Sequence, residues 1–269
     1  MKAWVNGQES MLINLTDRGL HYGDGVFETM LVTMGKIAMW PQHLARLQEG
    51  CRRLNINLGL EDILRQRDMI LNKVTTGVLK LMVTRGISGR GYKISGDESP
   101  SLIWTHYELP DYPAAFFLEG VDTHVCRTMV SRNPALAGIK HLNRLENVLA
   151  RQEWQTEYQE GLMCDEFGNI IEGTMSNFFA FKNNILVTPD LTAAGVSGIM
   201  RQHILDIARQ KGITTEIRDI PIAELDTIDG AMLTNCLIGA WPVRSIDHRR
   251  YPIQPFCQSL QAHVATGRQ

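Results

Sequence analysis

A chain of 269 residues, 44% apolar and 21% charged, has the composition of an ordinary globular protein and can bury one large core or two moderate ones. Its formal net charge of −2 gives no electrostatic basis for binding nucleic acid or an anionic membrane, so the expected partner is a small molecule. No apolar stretch approaches the roughly 20 residues of a membrane span, and Met1-Lys-Ala-Trp-Val-Asn-Gly7 lacks the apolar core of a signal peptide, which predicts a cytoplasmic protein.

Met1 to Val5 and Met30 to Thr33 read as strands. From Pro41 to Leu54 the spacing of Leu44, Leu47, Cys51 and Leu54 predicts a helix, with Pro41 suited to its first turn. A second helix is predicted over 61–72 and a buried strand over 78–84, which makes the first half a small α+β unit. Leu109-Pro-Asp-Tyr-Pro113 interrupts helix and strand alike, predicting a linker near 109–119 and a division into domains 1–112 and 113–269.

Beyond the linker, 121–127 reads as a strand, and Leu142, Leu145, Val148 and Leu149 mark a helix starting just after Lys140. Asp165 to Asn169 is a predicted turn between strands 162–164 and 169–172, and 177–181 and 185–187 continue the sheet. Ile199, His203, Ile204, Ile207 and Ala208 define a further helix, ended by Gly212. The second half is therefore β-rich with helices packed on it.

Three features of this half carry chemistry. Lys140 is a solitary lysine behind the apolar run Pro134 to Ile139. An amine in apolar surroundings loses hydration, its pKa falls, and the nucleophilic neutral form needed by a covalent lysine becomes accessible. Glu172 closes an apolar strand and precedes a glycine, so its carboxylate can point inward. A buried carboxylate needs a partner, for which a protonated pyridine nitrogen is suitable; an exposed strand-end Glu is the plainer alternative. Gly195-Val-Ser-Gly-Ile-Met-Arg201 opens a helix that Ser197 can cap, and backbone N–H groups at such a start bind phosphate.

Other templates are absent. There is no G-x-x-x-x-G-K-[ST], G-x-G-x-x-G, H-E-x-x-H or G-x-S-x-G, so no nucleotide, metal or serine-hydrolase site is expected. Cys51, Cys126, Cys164, Cys236 and Cys257 are odd in number and form no C-x-x-C pair, which predicts reduced thiols, mostly buried.

At these residues the chain resembles the pyridoxal-phosphate enzymes of fold type IV, a family of branched-chain and D-amino-acid aminotransferases and 4-amino-4-deoxychorismate lyases. The resemblance runs nearly end to end, through Asp17-Arg-Gly-Leu-His-Tyr-Gly-Asp-Gly-Val-Phe-Glu-Thr29, His43-Leu-Ala-Arg46, Arg85-Gly to Arg90-Gly-Tyr92, Lys140, Glu172-Gly-Thr-Met-Ser-Asn177 and Gly198-Ile-Met-Arg201. It implies an α+β fold of two domains, a small N-terminal α/β domain and a C-terminal pseudo-barrel domain, and a homodimer holding pyridoxal 5'-phosphate between the domains.

By position, the resemblance makes Lys140 the covalent lysine and Glu172 the partner of the pyridine nitrogen. Arg46 and the backbone N–H groups of Ile199 and Met200 become phosphate contacts, joined by Cys236 or its neighbour Asn235, where relatives usually carry Thr or Ser. Arg90 and Tyr92 correspond to a loop that binds substrate carboxylate. Asn133-Pro-Ala-Leu-Ala-Gly-Ile-Lys-His-Leu-Asn-Arg-Leu-Glu146 resembles the lysine segment of the lyase members, which implies elimination of pyruvate from 4-amino-4-deoxychorismate. An aminotransferase acting on D-amino or branched-chain amino acids is the alternative on the same fold, and a non-catalytic binder of the cofactor a more distant one.

Overall fold

A computed structural model describes residues 1–260. Among them, residues 1–110 and 139–143 form one compact unit, and residues 111–138 and 144–260 form another.

The first unit contains, in order, β1 (Lys2–Val5), β2 (Gln8–Glu9), α1 (Arg18–Tyr22), β3 (Gly25–Thr33), β4 (Lys36–Ile37), α2 (Trp40–Arg53), α3 (Leu60–Leu71), β5 (Gly77–Thr84) and β6 (Ser101–Tyr107). Its strands make an antiparallel sheet in the order β2-β1-β6-β5-β3-β4. Alternation puts Val26, Met30 and Val32 of β3 and Leu79, Leu81 and Val83 of β5 on one face, where they pack with Leu47 and Cys51 of α2 and Ile63 and Ile70 of α3. The predicted helices and the strand at 78–84 lie within a residue of their expected bounds. Strand β3 begins five residues before the expected Met30, and β6 lies where no strand was expected.

The second unit contains α4 (Ala114–Leu118), β7 (Val121–Val125), α5 (Leu145–Arg151), β8 (Glu160–Cys164), β9 (Ile170–Gly173), β10 (Asn177–Lys182), β11 (Ile185–Thr188), α6 (Ile199–Gln210), β12 (Thr215–Ile217), a 3-10 turn (Ile222–Asp226), β13 (Gly230–Asn235), β14 (Gly239–Ile246) and β15 (Arg249–Arg250). The sheet order is β12-β11-β10-β13-β14-β7-β8-β9, with β15 beside β14. Strand β9, the last of that path, lies against β10, so the sheet curls back as a partial barrel around Phe178, Leu233, Trp241 and Val243. This is the two-domain α+β architecture expected from the sequence. Part of the expected linker is the short helix α4, whose Phe116 and Phe117 pack edge-on against Trp241. No helix among the described residues is long and apolar enough to cross a membrane.

The helix expected directly after Lys140 starts only at Leu145. Residues 139–143 spend their backbone groups on β3 instead: the Phe27 N–H donates to the Lys140 carbonyl (2.9 Å) and the Leu142 N–H to the Gly25 carbonyl (3.0 Å). Val26 and His141 face each other in an antiparallel bridge. Backbone held extended in an antiparallel bridge does not have the dihedral angles of a helical turn.

Candidate active site

In the first unit β3 carries an acid on its core face. Glu28 is 1% exposed, in register with Val26 and Met30, where an apolar residue is the norm. Its carboxylate accepts from Arg46 Nε (2.7 Å) and Nη2 (2.6 Å) and pairs with His43 Nδ1 at 2.6 Å. Burial pushes Glu28 up, but the Arg46 charge and the His43 hydrogen bond outweigh it and hold the carboxyl down at about 2. Arg46 and His43 can meet one acid because residues three apart share a face of α2.

Phe27, next along β3, points to the opposite face of the sheet. The half-buried Lys140 sets its Nζ 4.5 Å from the centre of the Phe27 ring, and Lys80 Nζ lies 4.9 Å from the same centre. The Lys80 amine is held below its ordinary pKa by burial. Arg90 and Tyr92 lie elsewhere, on the loop after β5, and both side chains are exposed. That loop is nevertheless fastened at Gly91, whose carbonyl accepts from Arg18 Nη1 (2.8 Å) and whose N–H donates to the Tyr22 hydroxyl (3.0 Å). Asp24 in turn accepts from Arg18 Nε and Arg85 Nε, each at 2.8 Å. The first unit therefore sets Lys140 against Phe27 and Arg46 against Glu28, on opposite faces of β3, and Arg90 and Tyr92 on an anchored loop beside α1.

In the second unit Glu172 of β9 is 4% exposed, and its Oε2 accepts the Val196 N–H at 2.8 Å. Gly195, at φ +79°, makes the turn that presents this N–H; a Cβ there would come within 2.7 Å of Ile171 Cγ2. The Gly138 N–H donates to the Gly195 carbonyl (2.8 Å) and the Ser197 N–H to the Gly138 carbonyl (3.0 Å), two residues before Lys140 in the chain.

Helix α6 starts at Ile199 with Gly198 as its N-cap, and no side chain caps it. Ser197, expected in that role, is one residue too early. A Cβ at Gly198 would lie 1.8 Å from Asn177 Oδ1, and Asn177 Nδ2 donates to the Val196 carbonyl at 2.8 Å. The first-turn N–H groups, those of Ile199 and Met200 included, form the positive pole of this helix. Cys236 is half-buried just after β13; its neighbour Asn235 accepts the Leu237 and Ile238 N–H groups (2.8 and 2.9 Å) and donates to the Met175 carbonyl (3.1 Å). Glu172, Ile199, Met200 and Cys236 are thus gathered around the segment 172–177.

Three residues escaped the sequence reading as parts of the site: Glu28, Phe27 and Asn177. The signal for Glu28 is an acid in phase with Val26, Met30 and Val32, visible once β3 is extended back to Gly25. Asn177 has no comparable signature, since its role depends on the close approach of Gly198. Chemically, the first unit offers a half-buried amine over an aromatic face. The second offers a buried acid beside a positive helix end, suited to an oxyanion and a protonated heterocycle.

Residues 25–246 match the family described as Amino-transferase class IV. The chain is 32% identical over 269 residues to the aminodeoxychorismate lyase of Vibrio harveyi, covering 98% of this chain and 99% of the relative. It is 27% identical over 256 residues to the D-alanine aminotransferase of Bacillus licheniformis, covering 92% and 89%. Among solved structures, the 4-amino-4-deoxychorismate lyase from Pseudomonas aeruginosa superposes with a TM-score of 0.96 at 41% identity, covering 98% of each chain.

Proposed function

This chain belongs to the amino-transferase class IV family, and from that premise we propose that it is a pyridoxal-phosphate-dependent lyase converting 4-amino-4-deoxychorismate to 4-aminobenzoate and pyruvate, a step of folate synthesis. The observation that carries the reading is an almost fully buried acid, Glu172, held by the turn that leads into the glycine N-cap of α6. That is the donor set of a phosphorylated pyridine. The 41% and 32% identities to two lyases, over nearly the whole chain, favour elimination over amino transfer.

In this reading the N–H groups of Ile199 and Met200 bind the phosphate, with Arg46, oriented by Glu28, and Cys236 or Asn235 as further contacts. The Val196 N–H orients the Glu172 carboxylate toward the ring nitrogen whose protonated form it attracts. The cofactor, when bound, supplies an electron-poor ring that spreads the negative charge left on carbon when a proton departs. Lys140 would hold the cofactor covalently, and its amine, once freed by the substrate amine, would accept the proton from the carbon bearing nitrogen. The Phe27 face then stabilises the resulting ammonium. Breakage of the adjacent carbon–oxygen bond releases enolpyruvate, which takes up a proton to become pyruvate and leaves the aromatic amine. Arg90 and Tyr92 grip a substrate carboxylate from the anchored loop. A homodimer in the cytoplasm completes the reading, supported by family membership alone.

Pyruvate release from 4-amino-4-deoxychorismate by the purified protein tests this directly. The 27% identity to a D-alanine aminotransferase keeps amino transfer as the second reading. Amino transfer to 2-oxoglutarate without pyruvate release selects it.

A further inference from the structure

The end of β7 and the end of α5 bring together three metal-binding side chains that the proposed lyase chemistry does not use. His124 and Cys126 are two apart on an extended segment, which the Cys126 N–H continues by donating to the Leu162 carbonyl of β8 (2.8 Å), so both side chains leave the same face. His124 Nε2 lies 3.8 Å from Cys126 Sγ, close to the edge of roughly 3.6 Å that zinc–nitrogen and zinc–sulfur bond lengths set in a tetrahedral site. The Glu153 carboxylate completes the group, with all three donor atoms within 4.8 Å of one another.

Each donor is held in place by something other than a ligand. The His124 ring is stacked on Tyr158 (4.8 Å, 20°) and abutted edge-on by Trp154 (4.8 Å, 73°). Cys126 is 6% exposed, and Gly161 makes room for its sulfur, since a Cβ there would come within 2.5 Å of Sγ. Glu153 Oε1 accepts the Thr128 N–H (2.8 Å) and hydroxyl (2.7 Å), whereas Oε2 accepts only the Arg127 N–H (2.8 Å) and so retains a lone pair. Such outer contacts orient metal ligands in built sites. One group competes: the Arg127 guanidinium sits 3.7 Å from Oε2, but its side chain is 89% exposed and can turn into solvent.

We propose that His124, Cys126 and Glu153 bind one divalent cation of the zinc class, leaving a fourth position open toward solvent. Imidazole, thiolate and carboxylate together select a borderline-soft ion over magnesium or calcium. A cysteine thiol at neutral pH keeps its proton until a dication arrives. Binding forms the sulfur–metal bond and sends the thiol proton to buffer. Two negative ligands then balance the ion's charge.

The test uses the full-length, cofactor-loaded protein, stripped with chelator and titrated with Zn2+ or Co2+. One equivalent should bind with release of about one proton per ion. Cobalt should give tetrahedral d–d bands at wavelengths longer than the cofactor absorbs. X-ray absorption of the zinc form should show one sulfur at about 2.3 Å with nitrogen and oxygen at about 2.0–2.2 Å. Cys126→Ser and His124→Gln should each weaken binding at least tenfold, whereas Arg127→Ala should tighten it. A wild-type zinc spectrum without a sulfur shell, or cobalt binding that survives both substitutions, overturns the assignment. The first of these needs no variant to fold.

Discussion

Two carboxylates, one in each unit, are equally hidden and oppositely employed. Glu28 is 1% exposed and Glu172 4% exposed, and each extends from a strand. Glu28 meets a guanidinium in two parallel hydrogen bonds and an imidazole besides, so its charge is spent inside the first unit. Glu172 accepts the backbone N–H of Val196, a neutral donor on the turn before α6 that aims the carboxylate. Burial alone does not mark an acid as structural or functional. What faces it does.

The largest expected effect lies outside this pair and tests whether Glu172 has anything to act on. Lys140→Ala should lower pyruvate release by about 10³-fold or more and abolish any borohydride-reducible link between protein and cofactor, as loss of a covalent acid–base group does. A fully active variant would falsify the assignment of Lys140, and with it the reason for an electron-withdrawing acid at 172.

Glu28→Gln should act on the fold. Removing one partner of a buried ion pair strands the others, at a cost of about 3–5 kcal/mol in chemical denaturation. The same contrast appears with pH. Glu28 titrates at about 2 when folded against 4.5 in its ordinary state. A depressed folded pKa contributes stability that is complete above the unfolded value and is lost as pH falls through the folded one. The contribution should therefore fade between pH 4.5 and 2 in the native chain and be missing from Glu28→Gln. Identical acid unfolding of the two proteins would show that the Arg46 pair contributes nothing.

Glu172→Gln should act on turnover. Gln keeps an oxygen for the Val196 N–H but loses the charge, so stability should change by less than about 1 kcal/mol while kcat falls about 10²-fold with little change in KM. A loss of stability like that of Glu28→Gln, with normal kcat per folded molecule, erases the distinction between the two acids.

Much of this was legible in the sequence, for reasons that differ by region. The helices over 40–53 and 60–71 and the strands at 2–5 and 77–84 announce themselves by apolar spacing. Glu28 concealed the first half of β3, since an acid among apolar residues breaks the period unless its partners are known, and those partners lie on α2. Strands β6, β13 and β14 went unread because their central positions are buried nearly continuously, which removes the alternation that marks a half-exposed strand. Ser197 as a cap was a reasonable expectation from residue type. It failed by one position, because Gly198 must approach Asn177 closely and so takes the capping place. Lys140, Glu172 and the start of α6 were legible singly; their surroundings, Phe27, Gly195 and Asn177, come from distant parts of the chain.

The smallest expected effect concerns Arg90, whose setting is the reverse of both acids. Its side chain is exposed, while the backbone beside it is fixed by Arg18 and Tyr22 at Gly91. An exposed guanidinium on a fastened loop costs little to remove from the fold and loses one charge-assisted grip on a substrate carboxylate. Arg90→Ala should therefore raise KM about tenfold, near 1.4 kcal/mol, and leave kcat and stability close to native. Arg18→Ala separates position from charge. Releasing Gly91 while Arg90 remains should raise KM in the same direction, because the grip needs the loop held as much as the guanidinium. If Arg18→Ala leaves KM unchanged while Arg90→Ala raises it, the Arg18 anchor is irrelevant to binding and Arg90 acts through charge alone.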